Sequence, residues 1–295
     1  MRTFAWFLGL FALGFAAIAL FAYPAWLVLH PHFDFPFHRI GERIGMLALL
    51  AGFALSALRL GLADRRSLGY GLARPLFLRE LLVGVGLGAA TMAAVVALMT
   101  ALGLLDWSAA AGSSPGRVAL IAVSRLASGL AVAFIEETFL RGAMLTGIER
   151  ESGGTAAVLL TALVYSATHF FVSYRIPAAD VTPGSGLDLL AGTLQSFAHP
   201  MSIADAFLCL FAVGVVLGAV RLATGNIAAC IGLHAGWVWV MLTVHELSHP
   251  LTAAPGAFLL SRFDGFIGWL VLAWTCLVGA ALHRFYARGA SRSRR

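Results

Sequence analysis

The chain has 295 residues, of which 60% are hydrophobic and only 12% are charged, and its mean hydropathy is +0.89. Since soluble domains carry about 25% charged residues, this composition excludes an ordinary soluble protein and predicts one that crosses a membrane several times. All 20 basic residues are arginines, and the formal net charge is +6. The arginines cluster at the ends of apolar segments and form no stripe with interleaved aromatic residues, so they do not indicate nucleic-acid binding.

Eight apolar segments are long enough to predict eight transmembrane helices in an all-α polytopic bundle. The first is too long for the apolar core of a signal peptide and predicts an uncleaved helix. A loop of about thirty residues separates the fifth and sixth segments. The segments run from about 4 to 30, 44 to 62, 81 to 105, 118 to 148, 156 to 172, 203 to 222, 226 to 243 and 266 to 283.

The arginines also predict the orientation of these helices. An even number of helices places both termini on one side. With that side cytoplasmic, 13 arginines are internal and five external, while Arg125 and Arg141 lie within the membrane. This bias follows the positive-inside rule. It predicts a multi-pass protein of the cytoplasmic (inner) membrane with both termini in the cytoplasm.

The fourth segment carries Glu136, Glu137 and Arg141 within an otherwise apolar run. Each charge inside a bilayer costs about 2.5–3.5 kcal/mol on insertion scales, so such a cluster indicates function. Glu137 and Arg141 are four residues apart and can pair on one helix face. Glu136 lies about 100° round the helix and is left without a local partner. A structural ion pair that joins two helices is the alternative interpretation.

Two histidines are expected at a similar depth. At about 1.5 Å per residue, His169 in the fifth segment and His234 in the seventh reach the layer of Glu136, near the middle of the membrane. A carboxylate in a low-dielectric cavity suits a general base, and a histidine beside it can share the proton of a water or donate to an oxyanion. This set predicts an intramembrane polar cavity for hydrolysis by an activated water. Alternatively, the two histidines and a glutamate could ligate Zn²⁺.

These motifs resemble those of the CPBP family, which includes the type II CAAX prenyl endopeptidases and bacterial proteins linked to bacteriocin processing or immunity. The family pattern is EExxxR, aromatic-xxx-His and His-xxx-Asn on successive membrane helices. Here the matching runs begin at Glu136, Tyr165 and His234. The third run ends in Val238 where the family has asparagine, a plausible oxyanion donor whose loss can cost about 10²–10³ in rate.

The resemblance implies a helical membrane protease with its site in an intramembrane cavity. Glu136 would activate the water with His169, Glu137 and Arg141 would hold the site, and His234 would line it. The resemblance is compatible with a mechanism that needs no metal, and zinc remains open. The expected partners are the lipid bilayer and a peptide or protein substrate in the membrane. The alternative is a non-proteolytic relative that acts in assembly or bacteriocin immunity.

We expect three parts along the chain. Residues 1–117 hold the first three helices, residues 118–243 the catalytic core, and residues 244–295 an outer loop, the last helix and an arginine-rich cytoplasmic tail.

A second motif, His245-Glu246-Leu-Ser-His249, fits the HExxH pattern of zinc proteases. It requires both histidines on one face of a helix, and Pro250 directly after the second one disfavours this. We therefore interpret it as part of an outer loop and keep the zinc protease as the less favoured alternative.

Overall fold

The computed structural model describes residues 1–171 and 174–293, and the chain is 76% helical. The helices are α1 (Arg2–Leu29), α2 (Phe37–Ala57), α3 (Arg74–Ala101), α4 (Ser108–Ala111), α5 (Pro115–Glu137), α6 (Leu145–Thr168), α7 (Ser185–Thr193), α8 (Pro200–Thr224), α9 (Ala228–Leu247) and α10 (Trp269–Ser293). A π-helical segment, Thr138–Met144, joins α5 to α6, and short 3-10 turns cover Ala178–Asp180, Gln195–Ala198 and Ala257–Leu259.

Strand structure in the described residues is limited to one pair of two-residue strands. β1 (Leu105–Asp106) and β2 (His249–Pro250) pair antiparallel, with Asp106 opposite His249. The predicted all-α class of a polytopic helical bundle is therefore confirmed.

Seven helical stretches among the described residues are long and apolar enough to cross a membrane. One of them, Pro115–Thr168, covers 54 residues and includes both the fourth and the fifth predicted segment. Within it Gly153 adopts a left-handed, non-helical conformation with φ 81° and ψ 165°, which interrupts the helix. The predicted number of eight is thus approximate, because it depends on counting the two sides of Gly153 separately. The chain is a multi-pass membrane protein.

Two boundaries differ from those predicted. The second helix begins at Phe37 rather than near 44, because Pro36 takes the extended conformation of an N-cap and the chain turns helical directly after it. The long loop between the fifth and sixth segments is not structureless, since its apolar run Ser185–Thr193 forms α7.

The chain divides into two compact units, and the first comprises Met1–Ala63 with Ala167–Ser202. Its core includes Ala22, Phe37 and Leu189. The helix α7 packs closely on α1 because Gly186 has no side chain: a Cβ atom there would lie 2.7 Å from the carbonyl oxygen of Ala19.

The second unit comprises Asp64–Ser166 with Ile203–Arg295, and α9 packs against both α3 and α5 within it. On α3 and α9, two pairs of glycines face each other, each pair four residues apart: Gly84 with Gly88, and Gly232 with Gly236. A Cβ atom at Gly88 would lie 2.4 Å from the Leu233 oxygen, and one at Gly236 would lie 2.5 Å from the Val85 oxygen.

Such small residues let membrane helices approach until their backbones touch. Because His234 lies between Gly232 and Gly236 on α9, this contact determines the depth and rotation at which the histidine is presented.

We expect Gly88→Leu to separate α3 from α9 and to lower the thermal stability of the protein in detergent, by about 1–3 kcal/mol as for overpacked cores. Gly86→Leu on the same helix is the matched control, because a Cβ atom at Gly86 would meet no other atom within 4 Å. Equal melting temperatures for the two variants would contradict the account of this packing.

Candidate active site

The glutamates lie at the end of α5, directly before the π-helical segment. Ser114 caps the start of α5, where its side chain accepts a hydrogen bond from the backbone N–H of Arg117, and Pro115 takes the first turn. Glu136 and Glu137 are the last two residues of the helix. The spacing of Glu137 and Arg141 predicts an ordinary α-helix here, and the π segment departs from that prediction. Single π turns are rare and occur often at functional sites.

Arg221 of α8 supports the π segment from outside. Its Nε donates a hydrogen bond to the backbone oxygen of Arg141 at 3.2 Å, and its Nη2 donates to Thr146 Oγ1 at 3.2 Å. Arg221 is only 6% exposed. A buried carbonyl needs a hydrogen-bond donor, and the guanidinium of Arg221 supplies one to the backbone of the π segment.

Glu137 is the centre of the buried polar cluster. Its Oε1 accepts a hydrogen bond from Arg141 Nη1 at 2.9 Å and lies 2.9 Å from His234 Nδ1. The side chains of Glu137 and Arg141 are 0% exposed. The predicted pair of Glu137 and Arg141 on one helix face is thus confirmed.

Two other helices complete the surroundings of Arg141. Its Nη2 donates to the Gly214 oxygen on α8 at 3.3 Å, and its guanidinium lies 4.7 Å from the ring centre of Tyr165 on α6. The Tyr165 ring meets His234 edge-on at 5.9 Å. The cation, the aromatic ring and the histidine therefore form one packed group around the carboxylate of Glu137.

Glu136 is placed differently from Glu137. Its side chain is 33% exposed, and its Oε2 atom is buried with no hydrogen-bond partner among the described residues. Oε2 lies 4.0 Å from His234 Nε2, which is too far for a direct hydrogen bond. The structure thus brings Glu136, Glu137, Arg141 and His234 together, and Glu136 has the most exposed side chain of the four.

His169 belongs to the other compact unit. It directly follows Thr168, the last residue of α6, and it is half-buried. Its expected role beside Glu136 stays a prediction.

Val238 lies one turn beyond His234 on α9, on the side that faces α5. Its Cβ is 3.6 Å from the place where Gly129 would carry a Cβ atom. The valine therefore packs toward α5 and offers no hydrogen-bond donor in place of the family's asparagine.

The structure contradicts the alternative of a zinc-protease site at the HExxH motif. The helix α9 ends at Leu247, Ser248 is extended with φ −145° and ψ 164°, and His249 lies in β2. The two histidines therefore do not share a helix face. Glu246, which would be the base of such a site, forms an ion pair with Arg125 of α5.

The candidate ligands for zinc do not form a metal site in the described part of the chain. No three His, Cys, Asp or Glu side chains there lie in an arrangement that could hold a metal ion. In the cluster, the Oε1 atom of Glu137 is occupied by Arg141 and His234. The described side chains therefore do not fit Zn²⁺.

A contact from the loop before α3 could not be predicted from the sequence. The Tyr70 hydroxyl is hydrogen-bonded to Thr138 Oγ1 at the start of the π segment, and Leu68 O lies 2.9 Å from the Cβ position of Gly142. Burial raises the pKa of the Tyr70 phenol, so the hydroxyl keeps its proton at neutral pH. No sequence pattern links a tyrosine to a threonine 68 residues away, and only Gly142 signals the close approach.

A comparison with known protein families matches the part of the chain that contains this cluster. Residues 118–240 match the family described as "Type II CAAX prenyl endopeptidase Rce1-like". The match covers somewhat less than half of the chain and includes all the residues gathered around Glu137. No curated protein and no solved structure gives a significant match.

Residues 118–240 are thus similar to type II CAAX prenyl endopeptidases, and they lie within a helical membrane bundle. The motifs that begin at Glu136, Tyr165 and His234 all lie within this matched region.

A double-mutant cycle tests the buried ion pair. Arg141→Met leaves a buried carboxylate without its cation, so we expect a loss of about 3–5 kcal/mol in stability. Adding Glu137→Leu should restore part of this loss, because no unpaired charge then remains. Unfolding of the purified variants in detergent gives the measurement, and strictly additive losses would contradict the pairing.

Proposed function

We propose that the chain is an intramembrane endopeptidase that hydrolyses a peptide bond through a water activated by Glu136. The observation that carries this proposal is the free Oε2 atom of Glu136. It is a buried carboxylate oxygen in a predicted membrane span, has no hydrogen-bond partner among the described residues and lies beside His234. An ionisable group in that position indicates function, and the match to a protease family supports the same reaction class.

The reaction would begin with transfer of a proton from the water to Glu136. The resulting hydroxide attacks the carbonyl carbon of the substrate and forms a tetrahedral oxyanion. Collapse breaks the C–N bond, and Glu136 returns its proton to the leaving amine. By the resemblance, His169 would assist Glu136, while Glu137, Arg141 and His234 hold the site.

The substrate we propose is a membrane-associated or lipidated peptide or protein. The multi-pass fold and the position of Glu136 within a candidate span support a substrate that reaches the bilayer. The arginine distribution supports residence in the cytoplasmic membrane with both termini in the cytoplasm. The family description is no ground for assuming that the substrate is prenylated.

The decisive test compares matched variants on peptides derived from membrane proteins. We expect Glu136→Gln to lower kcat/KM by about 10²–10⁴-fold, the usual contribution of a general base. Glu246→Gln makes the same chemical change outside the cluster and should leave the rate nearly unchanged. His169→Ala tests the remaining predicted residue, and a zinc chelator should have no effect.

Full activity of Glu136→Gln in membranes that contain the inserted protein would contradict the proposal. Loss of activity in Glu246→Gln together with inhibition by the chelator would move the reaction to the HExxH motif.

A second candidate function is a non-proteolytic role in assembly or bacteriocin immunity. The observation in its favour is Val238, which packs toward Gly129 on α5 and supplies no oxyanion donor. In that case Glu136→Gln should retain the biological phenotype, measured as survival against a bacteriocin or as assembly of a partner. Loss of that phenotype in Glu136→Gln would exclude this alternative.

A further inference from the structure

A cavity in the first compact unit contains none of the residues gathered around Glu137. Its volume is about 400 Å³, within the range of about 300–1,000 Å³ that is usual for ligand pockets. It is formed by α7, by the stretch before this helix and by the turn after it, all within the part of the unit that runs from Ala167 to Ser202. The described residues that line it are Tyr174, Ile176, Asp188, Ala191, Gly192 and Gln195.

The helix α7, which supplies half of this lining, is anchored in the core of its unit. Leu189 is only 4% exposed and belongs to that core. Gly186 allows α7 to rest on the backbone of α1. At the start of the helix, the Ser185 hydroxyl accepts a hydrogen bond from the backbone N–H of Thr182 at 2.9 Å. The cavity is therefore built on a fixed element of the unit.

One wall of the cavity is an aromatic ring. The ring of Tyr174 lies directly over Gly192 of α7, and a Cβ atom on Gly192 would overlap it, so this contact requires a glycine. Tyr174 is 41% exposed, and its hydroxyl forms no hydrogen bond with any described residue. The face of such a ring attracts a cation, because the π electrons make it negative.

The charge of the lining is negative. Asp188 is the one charged side chain among the described lining residues, and its carboxylate forms no ion pair or hydrogen bond with the rest of the described chain. Arg175, the neighbour of Tyr174, is exposed and does not pair with it. The amide of Gln195 also has no partner in the described ranges and offers a second acceptor oxygen. The cavity thus presents acceptors and an aromatic face to its contents.

We propose that this cavity binds an organic cation, namely a guanidinium or alkylammonium group on a short apolar chain. The carboxylate of Asp188 balances the charge with a charge-assisted hydrogen bond, Gln195 accepts a second hydrogen bond, and the ring of Tyr174 covers the cation. Ile176 and Ala191 supply apolar surface for the chain that carries it. An anionic group would be repelled by the carboxylate, and a neutral one would leave it without a counter-ion.

The cation can come from two sources, an arginine or lysine side chain of a polypeptide or a free amine. The arginine distribution predicts that the connection between α6 and α8 lies on the outer side of the membrane, so either would arrive from outside. This binding does not depend on the proposed function, and it can be tested without any assay of cleavage.

Calorimetric titration of the full chain in nanodiscs of phosphatidylcholine, with empty nanodiscs as the blank, measures the binding directly. The probes are a blocked tripeptide with a central arginine, the same peptide with a central glutamine, and the free amine agmatine. We expect the arginine peptide or agmatine to bind, the glutamine peptide to give no signal, and added salt to weaken the binding, because the attraction is between charges.

Asp188→Asn removes the charge and keeps the shape of the side chain. It should raise the Kd of the cationic probe by about tenfold or more, as for loss of a hydrogen bond to a charged group. Asp180→Asn is the matched control, because Asp180 is an exposed aspartate in the same connection and does not line the cavity. Asp188 is itself exposed, so both variants should keep the melting temperature of the wild type.

A second pair of variants tests the aromatic wall. Gly192→Ala should displace the ring of Tyr174 and weaken the binding of the same probe. Gly184→Ala should leave it unchanged, because a Cβ atom on Gly184 would lie 3.7 Å from Thr182 Oγ1, an ordinary contact.

The two cationic probes distinguish the sources. Binding of the arginine peptide alone supports the proposal with a polypeptide as the ligand, and binding of agmatine alone supports it with a free amine. Equal binding of the arginine and glutamine peptides, no binding of either cation, or an unchanged Kd in Asp188→Asn would overturn the proposal. The comparison of the two peptides uses the wild-type protein, so this test does not depend on the folding of any variant.

Discussion

The buried carboxylate of Glu137 is the interaction on which the rest of the site depends. One oxygen atom of this group binds both Arg141 and His234 at 2.9 Å, and so links the π-helical segment to α9. Removing either partner would leave a charge or a polar nitrogen buried in a region where water is scarce, which is far more costly than at a surface. Glu137, and not Glu136, makes these contacts, which supports the proposed role of Glu136 as the reacting group.

Helix packing holds this carboxylate and its partners in place. The facing glycines of α3 and α9 allow backbone contact, and His234 lies between the two glycines of α9. On the other side, Arg221 satisfies the backbone of the π segment, and Tyr165 covers the Arg141 guanidinium. The cluster therefore uses three kinds of contact that remain strong in a membrane: close packing of small residues, charge-assisted hydrogen bonds and a cation over an aromatic ring.

Much of this arrangement could be predicted from the sequence, and the reasons differ between elements. Apolar length predicts the membrane helices, and the spacing of Glu137 and Arg141 predicts their pair, because both follow from the geometry of a single helix. The π segment, the Tyr70 contact and the pairing of Arg125 with Glu246 could not be predicted, since they depend on which helices become neighbours. The HExxH pattern is a local match that the fold does not support, as Pro250 indicated, because α9 ends at Leu247, before the second histidine.

The central claim is that Glu136 activates a water for attack on a peptide bond. The most direct test is hydrolysis in ¹⁸O-labelled water by the purified protein in lipid, with mass spectrometry of the products after a single turnover. We predict that the wild-type protein places one ¹⁸O atom in the new carboxyl terminus and that Glu136→Gln forms no labelled product, whereas Glu246→Gln behaves like the wild type. Equal labelling by Glu136→Gln and the wild type would contradict the account.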